Sequence, residues 1–146
     1  MRIKSSSAKF TRVLAAALPL LLLTSCGSSF SDKDLAACAT AWDSTSEALS
    51  SAPRATFNDS APYPTELEIS RYFSDLSDLA DEIVDLGTAV DSSELGINLV
   101  NFGSGIRLMA TEFLVNPLRK GTPGITQFND SFKAVTSLCE ASGWER

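Results

Sequence analysis

Residues 66–90 read ELEISRYFSDLSDLADEIVDLGTAV, and the spacing of their apolar residues decides the fold class. Ile69, Tyr72, Leu76, Leu79, Ile83, Leu86 and Val90 recur at alternating steps of three and four. That repeat places them along one side of a helix and favours packing against other helices at a shallow crossing angle. The preceding threonine completes a start signal. In Thr65-Glu66-Leu67-Glu68 the Thr65 oxygen can take a free N–H, and Glu68 can reach back for another. The spacing predicts a helix over 66–90, with Gly87 a point where it could end early.

The same period continues on both sides. Over 93–115 the seam is Leu95, Leu99, Phe102, Ile106, Met109 and Phe113, bounded by Pro117. Gly103-Ser104-Gly105 is its weak point, since an interior glycine costs up to about 1 kcal/mol against alanine. Those glycines serve either close helix packing or a kink. Over 123–141 the seam is Ile125, Phe128, Phe132, Val135 and Cys139. Thr122 caps this segment, Pro123 suits its first position and Gly143 its stop. Over 32–51 the recurring residues are Leu35, Cys38, Trp42, Thr45 and Leu49, with Ser31 as cap and Asp34 three residues on. Four helices joined by connections of modest length predict an all-α domain, an antiparallel up-down four-helix bundle. In that arrangement Cys38 and Cys139 share a pole, so one disulfide can staple the first helix to the last.

The N-terminus has a different character. Arg2, Lys4, Lys9 and Arg12 are followed by VLAAALPLLLL at 13–23, an apolar run of eleven residues. A spanning helix needs about 20 residues, so this run reads as the core of an export signal. It ends in Leu23-Thr24-Ser25-Cys26, which resembles the lipobox of bacterial lipoproteins position by position. The resemblance implies cleavage before Cys26, diacylglycerol on its Sγ and an acylated amino group. An ordinary secretory signal with a chance cysteine is the plainer alternative. Residues 1–25 are then the signal, 26–31 the lipidated cysteine with a short tether, and 32–146 the bundle domain. A loose ACxxxW at 37–42 and LCxxxG at 138–143 resemble small lipoproteins of high-GC Gram-positive bacteria, which implies no particular activity.

With Cys26 committed to lipid, Cys38 and Cys139 are left as a pair, and outside the cytoplasm a pair favours a disulfide over two buried thiols. Removing 1–25 leaves 8 basic and 18 acidic residues, a net charge of −10. Nucleic-acid binding needs clustered Lys and Arg to neutralise phosphate, so it is not expected. The chain has no histidine, which removes the commonest general base and the usual imidazole metal ligand. No phosphate-binding or dinucleotide motif is present. The expectation is no enzyme, no catalytic residue, no bound metal and no cofactor beyond the lipid on Cys26.

Candidate contact residues come from the two longer loops, PRATFNDSAPYP at 53–64 and NPLRKGTPG at 116–124. They gather Arg54, Phe57, Tyr63, Arg119 and Lys120 at the pole away from the membrane. Basic and aromatic groups on loops held by a rigid bundle suit a protein partner. The bland reading is turn composition, with Arg119 and Lys120 set against the negative end of the third helix. Asp75, Asp78, Glu82 and Asp85 form an acidic stripe beside Asp81. One exposed helix cannot supply the six or more oxygens that Ca²⁺ wants, so the stripe reads as a solvated face. Trp42 is expected in the core, and Trp144 either over the disulfide or against lipid.

The leading expectation is a lipid-anchored, non-catalytic interaction module at the outer side of the cell membrane, with the bilayer and another envelope or extracellular protein as partners. The alternatives are a pocket for an apolar or haem-like molecule opened by Gly103 and Gly105, with Tyr63, Tyr72 or Met109 as ligands, and a passive envelope protein.

Overall fold

The structure is a computed structural model that describes residues 30–53, 63–116 and 121–145. Among these residues it is entirely helical. Its four helices are α1 (Asp32–Ser50), α2 (Glu66–Ala89), α3 (Ser93–Val115) and α4 (Pro123–Ala141). Each starts where its capping residue stands. Ser31 with Asp34, and Thr65 with Glu68, form reciprocal capping boxes, while Ser92 and Thr122 accept from Leu95 and Ile125. Each cap satisfies an N–H that the helix itself cannot. At the far end of α4, Gly143 takes the left-handed backbone at φ 96° and stops the helix.

The seams of α2 and α3 meet in the core. Leu76, Ile83, Leu95, Leu99, Phe102 and Ile106 are all fully buried. Phe102 touches both Phe128 and Phe132 of α4, with ring centroids 5.5 and 5.2 Å apart. Phe132 stacks in turn on Trp42 of α1 at 5.4 Å, and Trp42 meets Trp144 at 6.0 Å. Aromatic contacts therefore run from the middle of α3 out to the chain's last described turn. Trp42 is only half-buried, which corrects its expected place in the core. On α1 the deepest positions are the small residues Ala37, Cys38, Ala41 and Thr45, together with Asp34. Leu35 and Leu49 are partly buried flanks.

Neither glycine feature interrupts a helix. The α2 helix runs past Gly87 to Ala89 because Gly87 lies against Gly96 of α3. A Cβ on Gly87 would come within 2.9 Å of the Gly96 carbonyl oxygen, and one on Gly96 within 2.6 Å of the Gly87 oxygen. The α3 helix is likewise continuous through 103–105. Gly103 faces α2, where an added Cβ would lie 2.7 Å from Val84 Cγ2 and 2.8 Å from the Ala80 carbonyl oxygen. Gly105 faces the Phe128 backbone of α4. The lost helix propensity is offset by two close backbone approaches.

Cys38 and Cys139 form a disulfide, with Cα atoms 5.9 Å apart and a separation of 101 positions in sequence. A loop of that length corresponds to about 4.7 kcal/mol in the chain-entropy model. It joins α1, whose buried face is made of small side chains, to the end of α4.

Gly103→Ala should lower unfolding stability by about 1–3 kcal/mol, the usual effect of overpacking, despite the gain of about 1 kcal/mol in helix propensity. Ser104→Ala, at the exposed neighbouring position, should leave stability unchanged or slightly raised. Urea denaturation of the two variants beside the parent checks this. Equal stability of Gly103→Ala and parent would remove close packing as the reason for the glycine.

Candidate functional site

The start of α1 is fixed by one carboxylate. Asp34 is 2% exposed. Its Oδ1 accepts the backbone N–H groups of Asp91 (2.8 Å) and Ser92 (3.1 Å), which form the connection between α2 and α3. Its Oδ2 accepts the N–H of Ser31 at 3.0 Å. Burial pushes the carboxyl pKa up, but the backbone hydrogen bonds from Ser92, Ser31 and Asp91 outweigh it. The net position is below the ordinary aspartate value of 3.8. Three backbone N–H groups engage this carboxylate, so it positions backbone at the start of α1. Around it, Ser31 Oγ donates to Asp91 Oδ2 at 2.9 Å, and Lys33 Nζ lies 3.5 Å from Asp91 Oδ1. The Lys33–Asp91 pair is more than half exposed and contributes little.

Beside this tie lies a shallow groove of about 330 Å³. It is lined by Gly87 and Gly96, by the apolar Val90, Ile97 and Val100, and by the polar Ser92, Ser93 and Asn101. Ile97 is 64% exposed, unusual for an isoleucine in a helix with so large a buried face. A second groove of about 710 Å³ runs between α3 and α4, with Asn98, Asn101, Gln127, Asp130 and Ser131 among its polar lining residues. Neither groove includes Gly103 or Gly105. Those glycines are closed by Val84, Ala80, Phe128 and Ser131.

The first turns of α2, the last turns of α3 and the start of α4 also adjoin. Tyr72 meets Phe113 edge-on at 5.0 Å, and the Gly124 N–H donates to Glu112 Oε2 at 2.8 Å. Burial, with Asp75 nearby, pushes the Tyr72 hydroxyl up to about 12, so it stays protonated. Tyr63, Leu67, Leu114 and Val115 are all exposed here, Val115 at 82%. Of the expected contact residues, Tyr63 is therefore described and open to solvent. Arg54, Phe57, Arg119 and Lys120 lie outside the described residues, as does Cys26.

The acidic stripe of α2 is exposed along its length. Asp81 pairs with Arg107 of α3, and Glu82 accepts from Ser44 Oγ at 3.0 Å. Among the described residues no group of three or more acids or cysteines is arranged to hold a metal ion. Trp144 follows the disulfide end of α4, its backbone N–H donating to the Cys139 carbonyl at 3.1 Å and its ring meeting Trp42. Met109 is partly buried beside Gly124, and Tyr72 lies against Phe113, so both belong to helix packing.

Two features escape a reading of the seams. The long-range bonds of Asp34 carry no sequence signal beyond its place in a capping box. Ile97, Leu67, Leu114 and Val115 were legible only as apolar residues off the seam, which count individually for little. Among the described residues no helix is long and apolar enough to cross a membrane. Comparison with protein-family models, curated proteins and solved structures finds no match to this chain.

Asp34→Asn keeps the shape but loses one acceptor and the charge. It should destabilise the fold by about 1–3 kcal/mol at pH 7, the cost of leaving a buried partner unsatisfied. Because the folded pKa is depressed, this contribution is fully present above 3.8 and is lost as pH falls through the lower folded value. Urea unfolding at pH 7, 5 and 3 should show the gap between parent and variant narrowing only at the lowest pH. A constant gap would mean the charge is irrelevant.

Proposed function

We propose that the chain is a lipid-anchored lipoprotein of the outer side of the cell membrane, whose domain is a non-catalytic interaction module. The observation that carries the reading is the arithmetic of the three cysteines. Cys38 and Cys139 are bonded to each other, and the remaining one, Cys26, ends Leu23-Thr24-Ser25-Cys26 after an eleven-residue apolar run. A disulfide suits an oxidising compartment, and the lipobox accounts for the third cysteine. One acyl chain binds a membrane only marginally, whereas two or more give stable attachment.

The domain is read as an antiparallel up-down bundle. In support, contacting residue numbers fall on one helix as they rise on its neighbour. Asp34 meets Asp91 and Ser44 meets Glu82; Gly87 meets Gly96 and Val84 meets Gly103; Gly105 meets Phe128 and Met109 meets Gly124. The short tether then keeps the Asp34 end close to the membrane. The opposite end, with exposed Tyr63, Leu67, Leu114 and Val115, faces outward and carries the proposed protein contact, joined there by Arg54, Phe57, Arg119 and Lys120. Exposed apolar and aromatic groups with basic residues close by in sequence match the composition of protein interfaces.

Cys26→Ala should move the protein from the membrane pellet to the soluble fraction of disrupted cells. A variant that stays in the pellet with residues 1–25 removed would exclude the anchor. Proximity labelling from intact cells should then recover a partner with the parent chain. Combined Arg54→Ala, Arg119→Ala and Lys120→Ala should lose that partner while keeping the helical circular-dichroism spectrum. Equal capture by both would take the contact away from this end.

A further inference from the structure

The groove over Gly87 and Gly96 lies where the chain from Cys26 joins the domain. Val90 and Ser92 line it, and Asp91 between them is bonded to both Ser31 and Asp34. Phe30, directly before Ser31, is buried in the core. Cys26 is four residues before Phe30, a reach of at most about 14 Å. Any group on the Cys26 sulfur is thus confined near the groove, at the high effective concentration that a short tether imposes.

The lining says what kind of group fits. Val90, Ile97 and Val100 offer an apolar lining, beside the close approach of α2 and α3 at Gly87 and Gly96. Ser92, Ser93 and Asn101 supply hydrogen-bonding groups suited to ester carbonyls. Charge separates two sources of acyl chain. Exposed Glu94 follows Ser93, Asp91 before Ser92 is paired with Lys33, and the part of the chain after residue 25 carries a net charge of −10. That overall excess of acid disfavours a phospholipid phosphate. The diacylglyceryl group on the cysteine has no phosphate.

We infer that this groove takes up one acyl chain of the diacylglyceryl group on Cys26, folding part of the anchor back against α2 and α3. The inference rests on the lipidation of Cys26 proposed above. A bound chain covers Ile97 and stiffens the tether, so the domain is held at a set orientation to the membrane.

The test uses the full chain, purified after expression with its own signal, with Ile97 replaced by the photoreactive p-benzoylphenylalanine. Intact mass first reads whether Cys26 carries lipid. The protein is placed in phosphatidylcholine vesicles with fully deuterated acyl chains, irradiated, treated with mild alkali to cleave esters, and digested. The peptide carrying position 97 should retain a light fatty acid, derived from Cys26. The same probe at Leu108, on α3 beyond the groove, should retain none. A deuterated fatty acid alone at position 97 would mean that the groove meets the bilayer, and would overturn the inference. No fatty acid at position 97 on a lipidated protein would overturn it and leave the anchor standing. An intact mass without lipid on Cys26 would overturn both.

Discussion

Helix α3 is pressed between α2 and α4 at distances that a β-carbon would not allow, and the rest of the domain is arranged around that constraint. Gly96 and Gly103 admit the α2 backbone on one side; on the other, Gly124 of α4 admits the Met109 backbone and Gly105 packs tightly on Phe128. Such an approach brings the side chains flanking each glycine into full contact, which is why Leu95, Leu99, Phe102 and Ile106 have no solvent exposure. Three glycines in an isolated helix would be a liability. Here dispersion and burial across two interfaces exceed the propensity loss, and the helix stays unbroken.

Helix α1 is attached by other means. Its buried face is made of Ala37, Cys38, Ala41 and Thr45, which offer little apolar area. Two specific links supplement it at the same end, the Cys38–Cys139 disulfide and the Asp34 carboxylate bonded across to Asp91 and Ser92. One acts largely on the unfolded chain by restricting its freedom, the other on the folded state by satisfying three backbone donors. Both lie beside the point where the N-terminal segment joins, so the end nearest the proposed lipid anchor also carries these two ties. The opposite end keeps Tyr63, Leu67, Leu114 and Val115 exposed, which is compatible with the proposed contact there.

The seams of α2 and α3 were legible because a helix with one large buried face repeats its apolar residues every three to four positions. The caps Ser31, Thr65, Ser92 and Thr122 belong to local chemistry. Where sequence reasoning misplaced depth was α1. Trp42 is large and apolar, yet two neighbouring aromatics, Phe132 and Trp144, hold it at the margin while alanines fill the interior. Side-chain volume and burial diverge when helices approach closely, because only small residues fit at the line of contact. The groove beside Gly87 was illegible for a related reason, since it lies next to a point where two glycines from different helices coincide.

The sequence by itself determined the number, type and ends of the helices, the pair of cysteines free to join, and the lipobox-like segment ahead of them. These depend on period, capping and local composition, which act over a few residues. Only the tertiary structure decided that Gly103 and Gly105 are contact points rather than a kink, that Asp34 ties the first helix to a connection 57 residues away, and that Ile97 stands over an open groove. Each of these depends on which backbone comes to lie opposite, and that is settled by packing all four helices at once.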